Sequence, residues 1–463
     1  MKFESAATRG AAPELLEFLQ ALSLASVPGP VIEHAKGCLL DSLGCGLFGS
    51  QQPWGKIMAD EMCADGSRGH STVFGRAQTL AAPAAALCNG TASHGFELDD
   101  LLDEAIVHSG AIVVPAALAA AESIAAPGSR LLLGTVAGYE VMDRIGQALG
   151  MEPAHKGFHK TALVGPVGAA VAAGVVMNLT PAQLSAAVGL ACSTASGIKS
   201  FATGAGGGMM KRMHCGRPAE AGVRMAQLAV RGFTGPPTAV DGRFGMLEVY
   251  GGATARHEFL ARDLGKRWAV ERVYVKVYPC CSWIQATVQQ LVALRGPQPL
   301  VARAIGKVVV GTNSYAKRIN GEVVPLDTMG AQYSIPYCAA LALTGDPGDP
   351  AMYAQDAVDD SDRRELARRV ELTVDPQMEA AYPQHYGARV ELQLANGTRS
   401  DSVVLNPHGM PADPCTAAER SEKFARLAAP LVKSTATIER IAKAVRDAEQ
   451  LASVRAITDP LRN

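Results

Sequence analysis

MMKRMHCGRPAEAGV, Met209 to Val223, follows the glycine-rich run GAGGG at 204–208 and opens into the apolar stretch AEAGVRMAQLAVRGF. Lys211, Arg212, His214 and Arg217 stand close together ahead of an apolar helix. Cations beside flexible glycine backbone and the N–H groups of a helix start suit a small polyanion, such as a di- or tricarboxylate. A solvated basic turn would read the same way locally. The remainder of the chain decides between them.

Working outward, helical periodicity dominates both flanks. Upstream, Leu15, Leu16, Phe18, Leu19 and Leu22 mark a first helix, and Ile32, Ala35, Leu39, Leu40 and Leu43 line one from about Val31 to Phe48. Further helices are expected near 80–94, 111–125, 131–149 and 162–177. Thr180-Pro181-Ala182-Gln183 predicts a capped start for the next, with threonine as cap, proline in the first turn and glutamine closing a capping box. A short helix near 258–263 ends this region.

The character changes near Glu271. VYVKVYP (273–279), AIGKVVVGT, RRVELTVDP, ARVELQL and SDSVVLN read as strands, with Asn396-Gly397 a hairpin turn. Helices are expected at about 282–295 and in AQYSIPYCAALAL. The chain returns to helix in AERSEKFARLAAPLV and TIERIAKAVRDAEQLASV. The expected fold is mainly α: a large all-helical domain built from two segments, 1–269 and 407–463, with a smaller α+β domain, 270–406, inserted between them.

Composition narrows the function. The 463 residues carry 43 Lys and Arg against 44 Asp and Glu, a net charge of −1. No global field attracts nucleic acid or an anionic membrane, so any positive site is local. The apolar run Thr161–Val176 is broken by Gly165, Pro166, Gly168 and Gly174 and reads as a buried helix rather than a span. The N-terminus lacks the pattern of a signal peptide. The ten cysteines form no C-x-x-C pair, which argues against zinc or iron–sulfur sites and for a reducing cytoplasm.

Four clusters carry side chains suited to chemistry. HGFELDDLLDEAIVHSG (94–110) holds Glu97, Asp99, Asp100, Asp103 and Glu104 between His94 and His108. Crowded carboxylates repel, which can raise one pKa into a range useful for acid–base work; a solvated acidic turn is the plain alternative, and metal binding by the histidines and carboxylates ranks below both because no His-x-x-x-His spacing supports it. HKGFHKTALVG places His159 at a helix start, where burial would set its pKa; a surface histidine would look no different. Lys276 lies in an apolar strand and either protects a sheet edge or aims at a cleft. Beside it, Cys280 and Cys281 read as structural thiols rather than nucleophiles. Tyr337 begins a helix, either as a proton donor or as a core tyrosine.

With those residues in view, the sequence resembles the MmgE/PrpD family, which includes 2-methylcitrate dehydratase, cis-aconitate decarboxylase and iminodisuccinate epimerase. HGFELDD, IVHSGAIVVPAALA, GFHKTALVG, KRMHCGRPAEAGV, FTGP, VKVYPCCS, AQYSIPYCAALAL and PHGMPADP carry the resemblance, in order, over nearly the whole chain. It implies a helical domain with an α+β lid, a homodimer, no metal and no organic cofactor. The implied reaction removes a proton next to a carboxylate. Loss of water is the expected outcome, as in a 2-methylcitrate dehydratase; the alternatives are epimerisation of a dicarboxylate such as iminodisuccinate, decarboxylation of the cis-aconitate kind, or a non-catalytic polycarboxylate-binding dimer. Residue by residue, Lys211, Arg212 and Lys276 would bind substrate carboxylate. His108, His159 and Tyr337 would move protons, and Glu97 and Asp100 would orient a histidine or hold a substrate group. This chain departs from the family pattern at Glu97, where aspartate is usual, at Leu101 in place of threonine, in HSG for HPS, and at Cys280-Cys281, where decarboxylases carry a histidine after the lid proline.

Overall fold

The computed structural model describes residues 11–203 and 208–462. Most of the glycine run, 204–207, therefore lies outside the described residues. The chain packs as two compact units. Residues up to Gly95, Asp99–Val273 and the chain from Thr416 form the first; Phe96–Leu98 and Tyr274–Cys415 form the second. The second unit thus runs past the expected limit at 406 and takes in a short piece of the acidic run.

The first unit is built from α1 (Ala11–Gln20), α2 (Gly29–Ser50), α3 (Pro53–Ala64), α4 (Ala82–Ser93), α5 (Gly110–Ser123), α6 (Gly128–Leu149), α7 (Lys160–Val176), α8 (Pro181–Cys192) and α9 (Met209–Val230). Every residue of α4 and α7 is buried, as expected of helices that are small and apolar all round. The capping box at α8 is present: the Gln183 N–H donates to Thr180 Oγ1 and the Thr180 N–H to Gln183 Oε1. Two expectations need correction. The unit is not wholly helical, because β1 (Ser71–Thr72) and β2 (Thr79–Leu80) pair as a small antiparallel ribbon. Residues 258–263 do not form an α-helix; His257–Phe259 makes a single 3-10 turn.

Helix α9 packs against both α4 and α7. Glycine permits the approach. A Cβ on Gly216 would stand 2.2 Å from Thr91 Oγ1 and 2.4 Å from the Leu87 carbonyl oxygen of α4, and one on Gly222 would stand 2.3 Å from Ala169 Cβ of α7. Backbone contact this close fixes α9 against its neighbours, and with it every side chain on its first turns.

The second unit holds a four-stranded sheet in the order β4-β3-β5-β6. β3 (Ile305–Thr312) runs parallel to β4 (Val370–Val374) and antiparallel to β5 (Ala388–Leu394), which turns back into β6 (Arg399–Val404). Gly397, with φ 88°, closes that hairpin where Asn-Gly predicts it. Helices α10 (Gln285–Arg295), α11 (Ile335–Thr344) and α12 (Ser361–Arg368) complete the unit, and α11 packs between the other two. Among the described residues VYVKVYP forms no strand of either sheet, and only Tyr274 makes an isolated bridge. The Val275 N–H donates to the Gly409 carbonyl at 2.9 Å, so the stretch is extended chain lying on a turn. Alternation detects extended backbone but not whether a partner strand exists. The chain then returns to the first unit through α13 (Ala417–Ala428) and α14 (Thr435–Arg446). Among the described residues no helix is long and apolar enough to cross a membrane.

Candidate active site

The ends of three helices and one loop bring four imidazoles together in the first unit. His94 ends α4, His159 precedes the first residue of α7, His214 lies in the second turn of α9, and His108 sits two residues before α5. The His94 ring packs against His108 (centroids 4.8 Å) and stacks on His159 (5.9 Å). His159 and His214 share a hydrogen bond, Nδ1 to Nδ1, of 3.1 Å, and the Phe201 ring edges against both. Asp99 ties the other pair. Its Oδ2 lies 2.6 Å from His94 Nδ1 and 3.0 Å from His108 Nδ1. His108 Nδ1 also meets the Asp100 carbonyl oxygen at 2.8 Å.

Burial sets the charge states. It pushes His94 down to about 3 against the pull of Asp99, and His214 down to about 4 with help from the Lys211 charge. His159 is driven well below its ordinary value by burial, by the neighbouring imidazoles and by Lys211. Burial alone would raise the Asp99 carboxyl, but the charges and hydrogen bonds of His94 and His108 hold it well below the usual carboxylate range. The result near neutral pH is that His94, His159 and His214 are neutral beside the ionised Asp99 and Lys211. Neutral imidazoles can accept protons, and Lys211 favours an anion beside them.

Lys211 and Arg212 belong to helix α9 itself. The helix begins at Met209, so these cations are in its first turn and not in a turn ahead of an apolar helix. Both are almost fully buried, which excludes the solvated basic turn. The Arg212 guanidinium donates to the His94 carbonyl oxygen at 3.4 Å and lies over the Trp54 ring at 5.2 Å. It braces the end of α4 that carries His94.

Asp100 behaves unlike its neighbour. Its carboxylate accepts the Gly110 N–H at 2.8 Å and the Tyr139 hydroxyl at 2.5 Å. It thereby caps α5, rather than orienting an imidazole through its side chain as expected. Burial, reinforced by the charge of Asp41, raises it to about 7.

In the second unit, Lys276 Nζ stands 3.3 Å from Glu97 Oε2, and both side chains are buried. Glu97 adopts φ 57°, a left-handed conformation uncommon for glutamate. Its carboxylate is thus engaged with a lysine. Burial pushes the Cys280 thiol well above its ordinary range, and the Gln285 amide lies 3.3 Å from its sulfur, which fits a structural thiol. Tyr337 corrects an expectation. Its ring is fully buried, and its hydroxyl lies 2.7 Å from the Met352 carbonyl oxygen and 3.2 Å from that of Ala357 while Arg363 Nη1 donates to it. Burial raises it to about 12. A phenol tied this way holds the core of its own unit and is not free to shuttle a proton.

The MmgE/PrpD N-terminal domain model matches residues 13–258 and the C-terminal domain model residues 278–448. The chain belongs to the MmgE/PrpD family. Relatives with curated names include a cis-aconitate decarboxylase of Aspergillus terreus, 28% identical over 430 residues (88% of this chain, 87% of the relative). A cis-aconitate decarboxylase-like protein, oryM, of Aspergillus oryzae is 28% identical over 469 residues (95% of each). The human cis-aconitate decarboxylase is 27% identical over 466 residues (96% of this chain, 93% of the relative).

For this MmgE/PrpD chain, the sequence pattern names His108, His159 and Lys211, and the fold brings them into one cluster. His94, Asp99 and His214 stand in the quoted motifs but receive no role of their own from the sequence, because the contacts that join them to His108 and His159 form only in the fold. The ligand atoms of His94, Asp99 and His108 lie within 4.8 Å of one another and could hold a cation. Two ligand atoms on a tetrahedral zinc, each at about 2.0 Å, stand roughly 3.3 Å apart. The observed 2.6 and 3.0 Å are distances of shared protons.

Proposed function

We propose that this MmgE/PrpD protein is a lyase that removes a proton next to a carboxylate of a small di- or tricarboxylate, with loss of water as the favoured outcome. The observation that carries the reading is a histidine with its Nδ1 occupied, the half-buried His108, in one cluster with the buried Lys211. His108 Nε2 takes the proton from carbon. Lys211 neutralises the charge that develops on the neighbouring carboxylate, a contact that strengthens as the reaction proceeds. His108 hands that proton on to the departing hydroxyl, so that water leaves and the electron pair of the broken C–H bond forms the alkene, while His159, hydrogen-bonded to His214, lines the site. In this reading side chains carry the whole reaction. Arg212 supports the site by bracing His94.

Decarboxylation is the second reading, because the curated relatives at 27–28% identity are named cis-aconitate decarboxylases. Against it, Cys280 and Cys281 follow Pro279, where decarboxylases carry a histidine. The test is an NMR assay in deuterated water with 2-methylcitrate, citrate, cis-aconitate and iminodisuccinate. Formation of an alkene from a hydroxy acid supports the dehydratase. Release of carbon dioxide from cis-aconitate selects the decarboxylase. Deuterium incorporation without elimination overturns both in favour of an epimerase.

A further inference from the structure

We propose that Asp99 is a positioning residue for two rings at once: a single carboxylate oxygen takes the Nδ1 protons of both His94 and His108, leaving each imidazole with a bare lone pair at Nε2. The inference deepens the reading above, resting on His108 as the base.

Asp99 Oδ2 stands 2.6 Å from one Nδ1 and 3.0 Å from the other. An ionised carboxylate can only accept, so both nitrogens must carry hydrogen. The two rings are not secured equally. His108 Nδ1 has a second acceptor, the Asp100 carbonyl at 2.8 Å. For His94 the Asp99 carboxylate is the partner that sets the tautomer, and among the described residues its Nε2 is buried without a hydrogen bond. The other oxygen of Asp99, Oδ1, is likewise buried without one. His94 takes the shorter bond and so holds the carboxylate in place for His108. As His108 gains a proton from substrate, the same fixed charge supports the imidazolium that forms, the role a buried aspartate plays behind a catalytic histidine.

The test uses protein carrying 15N-labelled histidine, wild type beside Asp99→Ala and Asp99→Asn, with ring nitrogens assigned through single histidine variants. The expected wild-type spectrum shows protons on Nδ1 of both His94 and His108. In D99A the His94 signature moves to an Nε2 proton or a mixture, while His108 keeps its Nδ1 proton through the Asp100 carbonyl. The isosteric D99N keeps the size but loses the charge and can donate as well as accept, so kcat falls about 10²-fold or more with KM little changed. An Nε2 proton on His94 in the wild type overturns the proposal, as does a His94 signature indifferent to D99A. Circular dichroism confirms the fold of the variants, and if D99A does not fold the wild-type spectrum decides: Nδ1 protons on both rings support the proposal, and an Nε2 proton on either overturns it. Should the tautomers behave as expected while D99N keeps full activity, the positioning role stands and the reading of His108 as base fails.

Discussion

Replacing Asp100 by asparagine separates structure from chemistry. The Asp100 carboxyl is buried and raised to about 7 by that burial and by Asp41, whereas an unfolded aspartate titrates near 3.9. Between those values the folded protein holds a proton that the unfolded chain has lost, so stability falls as pH rises through the window. The whole effect is about 4 kcal/mol, of which about 3 kcal/mol falls between pH 5 and pH 8. An amide at this position cannot ionise and escapes it. Urea unfolding of wild type and Asp100→Asn at the two pH values should show the variant gaining about 3 kcal/mol on the wild type at pH 8 relative to pH 5. The change with pH is the test, because the packing and hydrogen bonds of the amide itself enter equally at both. Activity should stay within about tenfold, since His108 is held by the Asp100 backbone oxygen, which the substitution keeps. An offset identical at both pH values refutes the titration argument. A loss of a hundredfold or more in a folded variant returns Asp100 to the chemistry.

Three further outcomes follow from the packing and the site. Gly216→Ala places a Cβ against Thr91 and the Leu87 carbonyl, and overpacking should cost about 1–3 kcal/mol and lower kcat/KM by shifting α9. Gly29→Ala, with nothing within 4 Å, is the control in the same thermal melts. Glu97→Gln leaves Lys276 buried without its carboxylate and should destabilise by roughly 3 kcal/mol in denaturant titrations. Adding Lys276→Met should recover most of that loss; a double variant no better than the single one would show that the pair is not the source. Lys211→Ala should cut turnover by about 10²–10³ with an unchanged circular dichroism spectrum, and a near-normal rate would remove Lys211 from the mechanism.

The helices were legible in the sequence because their signals are local. The capping box of Thr180 and Gln183 lies within four residues, and the apolar stripes repeat within a few turns. The start of α9 was not. Lys211, Arg212 and His214 look like surface residues in a list, and they are helical because Gly216 and Gly222 bury the same helix against α4 and α7. The supposed strand at Lys276 failed for a related reason: its pattern is right for extended chain, but pairing depends on what the fold sets beside it.

The acidic run shows where sequence reasoning stops and why. Asp99 and Asp100 are adjacent, identical and equally buried. Mutual repulsion of crowded carboxylates predicts that one will hold its proton near neutral pH; Asp100 is raised, but by burial first and then by Asp41, which lies outside the run. Repulsion does not predict which, because the answer lies in what each carboxylate meets. Asp99 meets two imidazole nitrogens and stays ionised; Asp100 meets a phenol and a helix N–H, with Asp41 nearby, and is pushed to about 7. The residue with the perturbed value near neutrality is therefore the helix cap, and the residue we propose as positioning the two histidines is the one whose value lies far below. A shifted pKa marks an unusual environment, but only the partners show whether that environment serves the fold or the reaction.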